Sequence, residues 1–421
     1  MNILWLVNLA LPEASHLMGE KSSPFGGWLI ISSKKIASIG DVELSIAFPS
    51  RKAGKYSCLR GEKINYYPFI PVKDTDTQVI KYNKSFEVLL CNLKPDIVHI
   101  HGTEITHTLS MVNTCKKLNI KTVISIQGLV SKLEKHVYSN LPIHVIYGNT
   151  FRNIIMKDNV RGLKKLFKER GKNEIEALRK THHVIGRTTW DKACSKQINP
   201  EVEYHFCNET LREEFYEYHW DINNCEKFSI FLSQGEYPIK GLHHMLEAMP
   251  LILKEFPSAK VYISGKDITK SESLKDKLLM TYYGKYIKKL IRKLKLTGNI
   301  VFTGPLGEKA MCHRYLRSHV FVCPSSIENS PNSLGEAMIL GVPCVASFVG
   351  GVQDMLRDKE EGFLYQYDAP YMLAYYICEI FKNEDLALRF SKNAREHALK
   401  THDRDENTRT LIKIYNEIVS Q

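Results

Sequence analysis

Two glutamates, Glu328 and Glu336, bracket the stretch "IENSPNSLGEAM" (327–338), with seven residues between them. Ser330 suits an N-cap and Pro331 suits the first helical position, where a missing N–H costs nothing. Leu334, Ala337, Met338 and Leu340 continue a helix that Gly341 and then Pro343 bring to an end. Glu328 is therefore expected on the loop before the helix and Glu336 in its second turn. Between them the helix N-terminus offers unpaired N–H groups, a ready anion site. A carboxylate on each flank of such a site suits a ligand that carries both phosphates and hydroxyls.

Three further stretches carry residues of chemical interest. "KSSPFGGW" (21–28) is a Gly-Gly turn opening a helix, and Gly27 would let backbone approach a phosphate, although an ordinary strand-to-helix turn explains it equally well. It does not match G-x-G-x-x-G, and no G-x-x-x-x-G-K-[ST] occurs, so dinucleotide redox chemistry and P-loop hydrolysis lose support. "SQGEYPIKG" (233–241) ends a strand and begins a helix with Lys240, a cation able to neutralise a leaving diphosphate. "DIVHIHGTE" (96–104) puts His99 and His101 two apart on a strand, both facing one side. Metal binding by this pair would need further ligands, and no Cys/His/Asp cluster at ligand spacing supplies them. His99 reads as structural; His101, at the strand end, is placed to bond a hydroxyl or phosphate.

These residues need elements to position them. "NILWLVN", "LSIAFP", "DIVHIH", "KTVISIQ" and "HHVIGRT" read as one set of strands; "FSIFLSQ", "AKVYISG", "NIVFTGP", "HVFVCPS" and "PCVASFV" read as a second. Near-continuous apolar strands are those of a parallel sheet covered on both faces. Helices fit at about 240–256, 284–296, 308–317 and 331–340. Alternating strands and helices predict doubly wound α/β sheets, and 421 residues allow two domains. The periodicity breaks near 206–222. This gives domains over 1–210 and 211–400, with 401–421 a last amphipathic helix packing back toward the first domain. Gly26, Gly27, His101, Gln127, Arg187, Lys240 and Gly304 all fall at strand C-termini, where ligands of open α/β sheets bind, which predicts one cleft between two domains.

Composition narrows the partners. A charge of +12 and a pI near 9.0 favour anionic ones. The segment 151–172 carries eight Lys/Arg against Asp158 and Glu169 with weak core periodicity, and is the candidate surface for anionic lipid. In 284–296, by contrast, Ile287, Leu290, Ile291 and Leu294 have core spacing, so its lysines form a solvated face. Nucleic acid is disfavoured, because no RNP, KH, zinc-finger or helix-turn-helix pattern accompanies the charge. Ten scattered cysteines without C-x-x-C read as reduced thiols, and no apolar stretch approaches a membrane span. "MNILWLVNLALP" lacks a basic leader and does not read as a signal peptide. The expectation is a cytoplasmic protein, peripheral on the inner face of the plasma membrane.

Taken together, "PSSIENSPNSLGEAMILGVPCVASFVGG" (324–351) resembles the signature of retaining glycosyltransferases of family 4. "KPDIVHIHG", "YPIKGLHHMLEAM" and "IVFTGPL" fall in the order that family requires, and "VIGRTTWDKA" and "HFCNETLR" resemble bacterial enzymes that build capsular or exopolysaccharide repeat units. The resemblance implies the GT-B fold, two Rossmann-like domains facing across a cleft, and transfer of a sugar from a nucleotide-diphosphate donor, UDP before GDP. The acceptor would be a saccharide, lipid-linked, and neither metal nor other cofactor would be required. Glu336 would hold the ribose hydroxyls. Asn332, Ser333 and Leu334 would present N–H groups to the diphosphate and sugar, and Glu328 would contact the transferred sugar. Gly27 and Lys240 would face the diphosphate, and Pro305 and Leu306 the base. Gln234 stands where many relatives have an Arg, and Gln127 where many have a His. On the acceptor side Gln127 and Arg187 are the candidates, Arg187 being placed to supply the absent charge. Three other readings stay open: a same-fold epimerase or phosphorylase, an inactive sugar-nucleotide or lipid-binding protein, and, last, a nucleic-acid binder.

Overall fold

The structure, a computed structural model, describes residues 1–21, 26–55, 57–71 and 79–421. The chain divides into two compact units: Met1–Leu133 with Leu166–Arg212 and Thr401–Gln421, and Glu134–Lys165 with Glu213–Lys400. The sequence suggests a single boundary near 206–222. The structure adds the segment 134–165 to the second unit, and side-chain bonds hold it there. His243 Nε2 donates to the Ser139 carbonyl at 2.7 Å, Thr150 Oγ1 to that of Met280 at 2.7 Å, and Tyr282 N–H to Asn153 Oδ1 at 2.8 Å. Such bonds join residues about a hundred or more positions apart and leave no local signature.

The first unit holds an eight-stranded sheet built from β1 (Asn2–Leu6), β2 (Glu43–Pro49), β3 (Leu59–Arg60), β4 (Ile64–Phe69), β5 (Ile97–His101), β6 (Lys121–Ser125), β7 (His183–Gly186) and β8 (Glu203–Phe206). Its order is β3-β4-β2-β1-β5-β6-β7-β8, parallel except for β3 with β4. β1 explains why the strands read as continuous apolar runs. Ile3, Trp5 and Val7 enter one core cluster, and Leu4 and Leu6 enter the other. Both faces of the sheet are covered, so every position from Ile3 to Val7 is apolar.

β4 was not apparent in the sequence because Pro68 interrupts "INYYPF". β4 tolerates it because β3 reaches only Tyr66 and Asn65, so Pro68 has no ladder partner on that side. β3 and β8 are too short to show a period. The helix Arg404–Ser420 closes one face. Leu411, Ile414, Tyr415 and Ile418 recur at helical spacing and join the β1 cluster, each burial contributing about 1.5–3 kcal/mol. Trp5 Nε1 donates to Tyr415 Oη at 3.0 Å, and His99 lies 2.5 Å from the same hydroxyl.

The second unit holds β9 (Glu226–Leu232), β10 (Lys260–Ser264), β11 (Ile300–Gly304), β12 (Ser318–Cys323), β13 (Cys344–Ser347) and β14 (Gly362–Tyr365), ordered β11-β10-β9-β12-β13-β14 and parallel throughout. Counted from β9 this is 3-2-1-4-5-6, the Rossmann order, whose switch point lies between β9 and β12. The expected helices appear at Leu242–Glu255, Tyr282–Lys293, Glu308–Leu316 and Asn332–Leu340. The basic segment 151–172 is helical over Phe151–Met156 and again within Val160–Lys180.

Candidate functional site

The chain leaves β9 through Gln234 and reaches Lys240 at the end of a short 3-10 turn, Pro238–Lys240. It leaves β12 through Ser325 and Glu328 and enters the helix Asn332–Leu340. Both exits lie at the switch point of the second unit's sheet, where adjacent crossovers diverge and leave a crevice.

Lys240 and Glu328 meet directly there, Nζ to Oε1 at 2.6 Å, and Ser325 Oγ donates to the same oxygen at 2.8 Å. Burial opposes charge on Lys240, but the Glu328 carboxylate outweighs it and holds the ammonium above its usual range. The Glu328 backbone is fixed as well. Gly351 N–H donates to its carbonyl at 3.1 Å, and Gly350 (φ +52°) packs so closely that a Cβ would strike that oxygen. Side chains of Lys240 and Glu328 remain 29% and 14% exposed, enough to meet a ligand.

The helix start differs in detail from expectation. Pro331, not Ser330, takes the N-cap position, in extended conformation and without a side-chain cap bond. Leu334 N–H donates to the Pro331 carbonyl at 2.9 Å, and its side chain is fully buried. The Leu334 N–H, one of the three expected to face the diphosphate and sugar, thus already has a backbone partner within the first turn. Asn332 and Ser333 lead the helix. Glu336 lies in the second turn and is 6% exposed. Gln234 is half-buried two residues past β9; Pro305 and Leu306 follow β11, exposed and half-buried respectively.

In the first unit the switch point lies between β1 and β5. His101 ends β5, 5% exposed as a residue, with its ring packed 4.5 Å from Trp5 and 5.5 Å from Trp28 between ring centroids. Neither ring nitrogen has a hydrogen-bond partner among the described residues. Burial first, then neighbouring His99, pushes its pKa far down, so it is a neutral imidazole with one donor and one acceptor to offer. It lines a cavity with Trp28, Ser125, Arg187, Glu209 and Thr210. His99, by contrast, is satisfied by Tyr415 and by Ser125 Oγ at 2.6 Å, a structural role.

Arg187 and Gln127 converge on a residue that sequence reasoning missed. Arg187 Nη1 pairs with Glu209 Oε2 at 2.6 Å, and Gln127 Nε2 donates to Glu209 Oε1 at 2.5 Å. The Arg187 charge is thereby paired with a carboxylate inside its own unit. Arg212 was missed too: its Cγ and Cδ lie 2.5 and 2.6 Å from where a Gly27 Cβ would stand. Only glycine at 27 admits that stem, whereas Ser22–Phe25 of the same turn lie outside the described residues. Both residues sit just past β8 in "HFCNETLR", and recognising that strand would have found them. Glu104, beyond β5, is also new; burial first, then Glu174, raises its carboxyl to about 7.

Residues 214–397 match the family model of glycosyl transferases group 1. The uncharacterized glycosyltransferase MJ1607 of Methanocaldococcus jannaschii is 24% identical over 194 residues, 46% of each chain. This chain spans less than half the length of the first such curated relatives. In structure it resembles sucrose-phosphate synthase from Thermosynechococcus elongatus, with a TM-score of 0.72 at 14% identity over 100% and 99% of the two chains. It also resembles Anabaena HepE, solved with UDP and glucose, with a TM-score of 0.67 at 13% identity over 99% of each. The fold, two parallel-sheet α/β domains, is the GT-B fold.

Proposed function

We propose that the protein is a retaining glycosyltransferase of the family 4 type, moving a sugar from a UDP-sugar to a saccharide acceptor. The observation that carries this reading is the Lys240–Glu328 contact of 2.6 Å beside the helix Asn332–Leu340, at the switch point of a Rossmann sheet. As the bond to the sugar breaks, charge grows on the diphosphate. Lys240 and the N–H groups of Asn332 and Ser333 lower that charge's energy without rearranging. Glu328 contacts the sugar and steadies its developing positive charge. Glu336 accepts from the ribose hydroxyls, Gln234 contacts the diphosphate, and Pro305 and Leu306 border the base. In the first unit Gly27, with Arg212 over it, is a candidate to meet a phosphate. His101 orients a hydroxyl, and the Arg187–Gln127–Glu209 network shapes the acceptor side. No metal or other cofactor takes part in this scheme.

The test is to incubate the full chain with a panel of UDP-sugars and polyprenyl-diphosphate saccharides and to determine the new linkage by proton NMR. We expect transfer with the anomeric configuration of the donor preserved. Inverted product rejects the retaining mechanism. An isomerised sugar without acceptor identifies an epimerase, and UDP binding without turnover identifies a binding protein.

A lipid-linked acceptor, cytoplasmic location and a role in bacterial surface polysaccharide synthesis complete the proposal, supported by one surface of the second unit. Ile143, Phe151, Ile154, Ile155, Met156 and Leu274 are six large apolar side chains each more than 60% exposed. The helices Phe151–Met156 and Leu274–Leu279 that carry most of them are tied together by Arg152 Nη1 donating to the Leu279 carbonyl at 3.0 Å. Exposed Lys157, Arg161, Lys165, Lys275 and Lys277 accompany them. Apolar tips among cations fit an anionic bilayer surface, each cation contributing about 1 kcal/mol. No described helix is long and apolar enough to cross a membrane. The double variant Ile154→Glu/Ile155→Glu is expected to sediment with phosphatidylglycerol vesicles at least about tenfold less than wild type, since burying each side chain contributes about 1.5–3 kcal/mol. Equal sedimentation of the two proteins would remove this surface from the proposal.

A further inference from the structure

The spacing of His, Cys and Asp along the chain shows no metal-ligand cluster, yet the sheet of the first unit assembles one. β7 and β8 are parallel neighbours with His183 opposite Glu203 and Ile185 opposite His205. Glu203 and His205, two apart on β8, face the same side. His183 Nδ1 lies 3.1 Å from His205 Nε2 and 3.5 Å from Glu203 Oε2; His205 Nε2 lies 3.8 Å from Glu203 Oε1. Among the described residues this is the one group of three or more such side chains whose ligand atoms all fall within 4.8 Å of one another.

We propose that His183, His205 and Glu203 bind a zinc ion at this edge of the sheet. Two imidazole nitrogens, each about 2.0–2.1 Å from a tetrahedral zinc, stand about 3.3 Å apart, and a carboxylate oxygen completes a similar edge. The imidazole pair is within tenths of an ångström of that spacing, and the exposed Glu203 side chain has only to turn one oxygen inward from a group that already lies within 4.8 Å. A lone N–H···N bond between the imidazoles would explain the shortest distance but gives Glu203 no role; zinc uses all three groups. Imidazole with carboxylate is a donor set zinc accepts, and zinc requires neutral imidazoles. The side chains of His183 and His205 are 8% and 7% exposed, whereas that of Glu203 is 52% exposed and gives the ion an entry path. Gln421 Nε2 donates to Glu203 Oε2 at 3.4 Å, and the Glu417 charge acts on His205 from the same C-terminal helix. Water would fill the fourth position. The ion would clip the four-residue edge strand β8 to β7, its one sheet neighbour among the described residues, a role independent of the transferase reading.

The test is zinc titration of the chelator-treated, dialysed full chain against a chromogenic chelator, with cobalt absorption as a second readout. Wild type is expected to take up one zinc per chain and to give the intense visible bands of tetrahedral cobalt. His205→Gln and Glu203→Gln should each weaken zinc binding by more than the roughly 10–100-fold that loss of an outer-shell partner costs. The neighbouring exposed His182→Gln should leave it unchanged. Should His205→Gln fail to fold by circular dichroism, Glu203→Gln at its exposed position carries the test. Absence of stoichiometric zinc, or equal affinity in Glu203→Gln and wild type, overturns the site.

Discussion

Replacing Lys240 by alanine is expected to lower kcat by about 10²–10³-fold, the cost of removing one preorganised group from a developing anion, about 2.7–4 kcal/mol. The ammonium is already charged and in place: Glu328 holds it at 2.6 Å and keeps its pKa above the ordinary range. It therefore spends nothing on reorganisation as the diphosphate leaves. Lys240→Ala also strands the Glu328 carboxylate, whose side chain is only 14% exposed, and some stability will be lost with it. The double variant Lys240→Met/Glu328→Gln separates the two effects, because it removes the stranded charge. Its thermal stability should return toward wild type while turnover stays low. Steady-state kinetics of both variants checks this. A kcat for Lys240→Ala within a few-fold of wild type would rule out its role at the diphosphate.

Glu336→Ala is expected to remove most of the stabilisation by UDP. A ligand at a hundred times its dissociation constant stabilises the folded state by about 2.7 kcal/mol. Two hydrogen bonds from ribose hydroxyls to a charged carboxylate are together worth about 3 kcal/mol or more. Losing them weakens binding by about a hundredfold, and the same UDP concentration then stabilises by only about 0.4 kcal/mol. Thermal shifts with UDP, GDP, ADP and CMP, each measured against the same protein without nucleotide, read this difference free of the variant's own stability change. Selective stabilisation of wild type by UDP that is mostly lost in Glu336→Ala supports the donor reading. An unchanged UDP shift in Glu336→Ala would move the ribose elsewhere, and no shift with any nucleotide in wild type would count against the transferase reading itself.

Much of the second unit was legible because its signals are local. "IENSPNSLGEAMILGVP" carries its own helix start, apolar face and Gly341 stop, and the helix Asn332–Leu340 follows. Even there the first turn escaped. Whether Leu334 keeps a spare N–H depends on how tightly the backbone closes onto Pro331, which side-chain type does not specify. β14 was missed because "GFLY" is four residues long and begins with glycine, a poor strand former until β13 pairs with it.

In the first unit the balance reverses. Trp5, His99 and Tyr415 are hundreds of positions apart in part, and only the packing of the last helix onto β1 joins them. Arg187 was visible as a strand-end cation, but its charge balance rests on Glu209, twenty-two residues on and past a strand too short to show a period. The same holds for His183 and His205, ordinary residues until β7 and β8 lie side by side.

The sequence by itself determined the strand-helix alternation, the two Rossmann-like sheets and the glutamate-flanked helix start, because periodicity, capping and turn chemistry act within a few residues. The tertiary structure alone decided which charges meet: Lys240 with Glu328, Arg187 with Glu209, His183 with His205 and Glu203. Those pairings depend on strand order and register, and these are settled by long-range packing of whole faces.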